Sequence, residues 1–289
     1  MIEATPVVEH SPIEHGPVER HPFAIRHLTV TSVRQIGISF VRVTLEGADL
    51  DGFASTGPAD HVKVFFPDPA SGELAVPVMT PDGPARPSEG TVISRDYTPR
   101  SFRPATADSP ASLELDFVVH GDTAPATAWA SKAKVGDALV VAGPRGSRPA
   151  PTGMTKVLLG ADESALPAVA RWIAMLPENV EISAFIELDH DSDAVYLDPE
   201  VVQRAQVIWL SKGDGALERA IRGMGDSGAI DDGTYIWVAG ETGGLVAIRR
   251  YLRRELGLPA SRVTVDGYWK RGVAGRDHHA PIDPSDPED

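Results

Sequence analysis

The feature that most constrains this chain is a change of rhythm near residue 149. Before it, apolar residues recur at every second position in short runs broken by Gly and Pro; after it, apolar strands alternate with stretches of helical periodicity. Period two marks strands with one buried face and a period near 3.6 marks amphipathic helices, so one chain carries two architectures. The period-two runs are residues 28–33, 40–45, 61–66, 91–94, 113–119 and 138–142, which predict an antiparallel barrel or sandwich. Residues 80–90, rich in Pro and Gly, read as a long surface loop between two of these runs.

The second half supplies strands at 156–160, 180–188, 206–210, 234–239 and 262–266, with helical stretches at 164–176, 216–224 and 244–256. Leu166, Val169, Ile173 and Leu176 share one helical face. Strands separated by helices imply a parallel sheet with right-handed crossovers. The expected division is a flexible N-terminal arm over 1–22, a β domain over 23–148, an α/β domain over 149–277 and a disordered Pro- and Asp-rich tail over 278–289.

Charge and composition remove several classes of function. The 289 residues hold 27 basic and 41 acidic side chains, a net charge of −14. Phosphate contacts need a basic face, so a nucleic-acid partner is not expected. The absence of cysteine excludes disulfides, thiolate zinc sites, iron–sulfur clusters and thiol nucleophiles. The polar, acidic start lacks the basic and apolar regions of a signal peptide, and no apolar run approaches the ~20 residues that cross a bilayer. A cytoplasmic location without membrane insertion is the expectation, and no obligate protein partner is implied.

Three clusters carry chemistry. In Arg95-Asp-Tyr-Thr-Pro-Arg100, two guanidinium forks suit phosphate, a tyrosine offers a flat ring and a threonine offers a small hydroxyl. Arg95, Tyr97 and Thr98 cannot share one strand face, which places a strand end there; the plainer alternative is an exposed edge strand. Around His120, the small residues from Thr123 to Ala128 permit close approach of an anion to backbone N–H groups, with Trp129 following. At 160–168, Gly-Ala-Asp-Glu-Ser-Ala-Leu-Pro-Ala joins a strand to a helix at the carboxyl edge where open α/β sheets bind ligands, and Ala239-Gly-Glu241 repeats that setting. The 160–168 segment is not a GxGxxG fingerprint.

These motifs, with Asp116-Phe-Val-Val-His-Gly121, Ala126-Thr-Ala-Trp-Ala130 and Gly267-Tyr-Trp-Lys-Arg-Gly272, resemble the siderophore-interacting proteins, flavin-dependent ferric-siderophore reductases of the ferredoxin-reductase-like superfamily. The likeness runs from Phe23 to about Gly272. It implies an FAD-binding six-stranded antiparallel β-barrel followed by a nicotinamide-binding α/β domain with a parallel sheet. Carried over by position, Arg95, Tyr97, Thr98 and Arg100 would hold the flavin and its phosphates, and His120, Thr127, Ala128 and Trp129 the pyrophosphate and adenine side. Asp162, Glu163, Ser164 and Glu241 would face the nicotinamide dinucleotide. Two positions depart from the family pattern: Ala124 stands where glycine is usual and Ser164 where threonine is common. The Tyr268-Trp269 pair reads as domain packing rather than flavin shelter.

The implied reaction passes hydride from NADH or NADPH to FAD and single electrons to chelated Fe(III), releasing Fe(II). Because the chelator holds the iron, no protein metal ligand is expected, and His278-His279 reads as solvated surface. An anionic ferric siderophore must then be attracted locally, and residues 245–276 carry a net +6. Within and beside that segment, Lys270 and Arg271 are the candidate contacts, with Lys63 a third by family position. The acidic stretch 187–193 follows the strand whose end reads the adenosine ribose, which favours NADH, while Lys212 could serve a 2′-phosphate. Two other readings remain: a flavin oxidoreductase with a different acceptor, and a siderophore carrier without redox chemistry.

Overall fold

The computed structural model describes residues 11–81, 83–119, 124–277 and 279–287. Seven strands build the N-terminal sheet: β1 (Ile25–Ile36), β2 (Phe40–Glu46), β3 (Val62–Phe66), β4 (Ile93–Tyr97), β5 (Pro99–Arg103), β6 (Ser112–Val118) and, after the short helix α1 (Pro125–Ala130), β7 (Ala138–Ala142). Their order is β4-β3-β7-β1-β2-β6-β5, antiparallel throughout. Alternate residues such as Val30, Val43, Val64, Leu115 and Val141 point inward to one buried core.

This corrects the six-stranded barrel in count and in closure. The additional strand is β5, which starts at Pro99, one residue after β4 ends. No turn residues announce it, and proline is admissible there because β5 is an edge strand. The two edge strands β4 and β5 are consecutive in the chain, so the sheet curls until Thr98 alone spans its open seam, with no ladder between the edges.

The C-terminal half holds β8 (Lys156–Ala161), α2 (Leu166–Met175), β9 (Glu181–Leu188), α3 (Pro199–Arg204), β10 (Gln206–Ser211), α4 (Ala216–Asp226), β11 (Thr234–Glu241), α5 (Thr242–Arg250) and β12 (Val263–Trp269). All five strands are parallel in the order β10-β9-β8-β11-β12. The order reverses between β8 and β11, the switch point at which such sheets open a ligand crevice. The apolar face of α2 is buried as its spacing predicts, through Leu166, Val169 and Ile173. Among the described residues, no helix is long and apolar enough to cross a membrane.

Both chain ends differ from the sequence expectation where they are described. Within the expected flexible arm, Ile13 is buried in the α/β core, Glu14 bridges Thr152, and Glu19–Arg20 pairs with Gly146–Ser147. In the expected disordered tail, Asp283 is buried and pairs with Arg250, while Asp286 pairs with Arg249 and Arg254. Apolar burial and backbone pairing hold the arm, and opposite charge supplied from distant sequence holds the tail; a local composition argument registers neither. Residues 1–10 and His278 lie outside the described residues.

Candidate functional site

The site forms where the seam of the curled sheet meets the carboxyl edge of the parallel sheet. Directly opposed residues of an antiparallel ladder share a face. Arg95 opposes Val64 and Tyr97 opposes Val62, so both stand on the inner face. The Tyr97 ring packs 4.6 Å from that of Phe117, which lies 5.5 Å from Trp129; one aromatic cluster thus joins two of the sequence motifs. Burial pushes the Tyr97 phenol well above its ordinary value. Thr98 is buried at the crossing and Thr127 in α1. His120 lies outside the described residues.

Arg100 is mostly enclosed, with a side chain 14% exposed, and it pairs loosely with Asp198 at 3.7 Å. Its Nε is buried without a hydrogen-bond partner. The Arg95 guanidinium donates to the Ser94 carbonyl at 2.7 Å. It also abuts the loop after β12, since a methyl added to Gly275 would lie 3.3 Å from Arg95 Nη1. A buried, unpaired guanidinium N–H and an aromatic floor suit a flavin with anionic phosphates, and these residues fit FAD on that ground.

At the carboxyl edge, Asp162 is saturated by the protein itself. Its Oδ1 accepts from the Ser164 N–H at 2.9 Å and hydroxyl at 2.5 Å, and its Oδ2 from the Glu241 N–H at 2.9 Å and the Trp269 indole at 2.8 Å. It therefore ties the ends of β8, β11 and β12 together. Gly240, at φ 153°, is required beside it, because an added Cβ would stand 2.8 Å from the Asp162 carboxylate. Glu241 caps α5 through the Gly244 N–H at 2.8 Å and receives the Arg271 N–H at 3.1 Å. Glu163 is buried and bonds the Asp189 N–H and, at 2.9 Å, Lys212.

The three candidate cations separate. Lys270 and Arg271 are exposed on the loop that reaches Arg95. Lys63 stands on the outer face, opposite from Tyr97, and is paired to Asp96 at 2.7 Å. Of the other basic residues in 245–276, Arg249, Arg250 and Arg254 are matched by the tail, and Arg262 by Asp232 at 3.1 Å.

The residues that dock the halves were not singled out from sequence. Arg171 of α2 donates to the carbonyls of Ser55 at 2.9 Å, Gly57 at 2.6 Å, Pro58 at 3.2 Å and Pro99 at 3.1 Å. Tyr196 donates to Asp116 at 2.5 Å, and Asp116 also binds Arg42 through two 2.7 Å contacts. Asp193 accepts the N–H groups of Ile38 at 2.6 Å and Ser39 at 3.1 Å. The signal for Arg171 was present: it is the single charge in the helix Leu-Pro-Ala-Val-Ala-Arg-Trp-Ile-Ala-Met. Tyr268 is half-buried, its hydroxyl enclosed near Thr98 without a well-formed bond.

Comparison with known proteins identifies the family. Residues 29–148 match the model of the siderophore-interacting FAD-binding domain, and residues 154–272 that of the siderophore-interacting protein. The chain belongs to the siderophore-interacting protein family. Ferric vibriobactin reductase ViuB of Vibrio cholerae is 30% identical over 88% of this chain and 92% of its own length. The NADPH-dependent ferric-chelate reductase of Escherichia coli is 33% identical over 84% and 92%. A siderophore utilization protein from T. fusca superposes with a TM-score of 0.81 at 38% identity, covering 92% of this chain and all of that one.

Proposed function

We propose that the protein is an FAD-dependent NAD(P)H ferric-siderophore reductase acting in the cytoplasm. The observation that carries this reading is the contact of the loop after β12 with Arg95, which sets the carboxyl edge of the parallel sheet against the seam of the curled sheet. When bound, FAD supplies an acceptor for a hydride pair and a donor of single electrons, the exchange that a two-electron nicotinamide and a one-electron Fe(III) require.

Residues 23–148 hold FAD. Tyr97 lines the ring site, Thr98 offers its hydroxyl and N–H, and Arg95 and Arg100 neutralise phosphate; Thr127, Ala128, Trp129 and His120 complete the nucleotide side. Residues 149–277 receive the nicotinamide dinucleotide at the carboxyl edge, shaped by Asp162, Glu163, Ser164 and Glu241. Asp162 and Glu241 act by fixing that edge, since their oxygens already accept protein donors. Lys270 and Arg271 attract an anionic ferric siderophore, and Lys63 contributes less because Asp96 offsets it. Two carboxylates around Lys212 favour the 2′-hydroxyl of NADH over a 2′-phosphate.

Purified protein should be yellow, bleach with NADH in the absence of oxygen and recover its colour on adding a ferric siderophore. The Tyr97→Ala/Arg100→Ala protein should be folded and colourless. Full flavin occupancy in that variant would remove the assignment of the site, and bleaching without reoxidation by any ferric siderophore would remove the substrate.

A further inference from the structure

The ends of β8, β9 and β10 converge on one side chain. Glu163, 2% exposed, accepts the Asp189 N–H with Oε1 and holds Lys212 Nζ with Oε2 at 2.9 Å. Lys212 also reaches Asp189 Oδ2 at 3.1 Å and lies 5.6 Å from the Trp269 ring centre. Burial, the largest single influence, would draw the Lys212 ammonium down, but Glu163, Asp189 and Asp162 together outweigh it and hold Lys212 above its ordinary value. The cluster is one cation between two carboxylates.

We infer that Glu163 sets the choice between NADH and NADPH by keeping Lys212 engaged. The inference rests on the proposed nucleotide site and deepens it. The end of the second parallel strand, here Asp189, is the place that reads the adenosine ribose. A 2′-phosphate arriving there needs an available cation, and Lys212 is the ammonium beside Asp189. Of the two carboxylates that occupy it, Asp189 has a side chain 40% exposed and is screened by water, whereas that of Glu163 is 2% exposed and screened far less. Glu163 also positions Asp189 through the backbone. It acts through Lys212, so it is a positioning residue and not a catalytic one.

The test measures binding of 2′,5′-ADP and 5′-AMP to the flavin-loaded protein by calorimetry, which needs no turnover. Glu163→Gln keeps an acceptor for the Asp189 N–H and removes the charge that holds Lys212. It should tighten 2′,5′-ADP roughly tenfold relative to 5′-AMP, the scale of one opposite charge made available near a surface. Adding Lys212→Met should abolish the gain, and Asp189→Asn alone should yield a smaller one. An unchanged ratio in Glu163→Gln, or a gain that survives Lys212→Met, overturns this inference alone. If neither nucleotide binds to any of these proteins, the nucleotide site itself is misplaced and the inference falls with it.

Discussion

At the scale of single residues, a buried guanidinium ties the two halves of the molecule together. Arg171 is buried, its pKa is drawn down by that burial, and its donors cover four carbonyls of the other half. Replacing it with Met keeps most of the volume but strands those acceptors, which costs about 3 kcal/mol. For a chain of this size that lowers the melting temperature by roughly 5–10 °C. Arg171→Met should show this loss in a thermal scan, and a change within 1–2 °C would mean that water replaces the guanidinium. Residues of this kind mark where sequence reading ran short. Tyr97, Thr98, Arg100 and Trp129 stand out in the sequence as candidates because their types suit a ligand and they lie in compact motifs. Arg171, Asp193 and Tyr196 serve partners more than seventy positions away, and no local pattern specifies such a partner.

At the scale of elements, periodicity located the six period-two strands, the five parallel strands and the apolar face of α2. It omitted β5, because Pro99 disguises an edge strand, and it read the tail as free because Pro and Asp are polar. The tail is held by ion pairs, and these have a pH signature. The Asp286 carboxyl is brought to about 2, chiefly by its bond from Arg254 and also by Arg249. A depressed folded value means that the pairing is complete above the ordinary 3.8 and is lost as pH falls from there through about 2. Protection of the Ser285 and Asp286 amides, corrected for intrinsic exchange, should fall over that window. At neutral pH, Asp286→Asn should already show the acid-like exchange while the melting temperature stays within about 1 °C. Protection that persists through pH 2 would assign the anchoring to Ile282 packing instead.

At the scale of the whole molecule, the two architectures share their interior. Phe40 of the curled sheet belongs to the α/β core and rests 4.6 Å from Tyr196. Asp193 reaches the β1–β2 turn, where Gly37 at φ 56° leaves room that any side chain would fill against that carboxylate. With Arg42, Asp116 and Arg171 these contacts make the halves interdependent, so calorimetry should record one unfolding transition. Arg171→Met combined with Tyr196→Phe should split it into two; a single unsplit transition would place the coupling in the apolar contacts and the Asp193 bonds instead.

The seam at Thr98 has a further bearing, on the order of assembly. Strands β4 and β5 are neighbours in the chain and opposite edges of the sheet, so the two lips of its seam are framed only after the five strands between them are paired. That sheet needs long-range pairings, β7 with β1 and β3, and β6 with β2, and such pairings form late because the intervening loops must close first. The cofactor's grip is thus a product of a finished sheet and cannot template it. During refolding, capture of flavin should follow the slowest protein phase whatever the flavin concentration, and capture that outruns that phase would show that the lips align before the sheet between them.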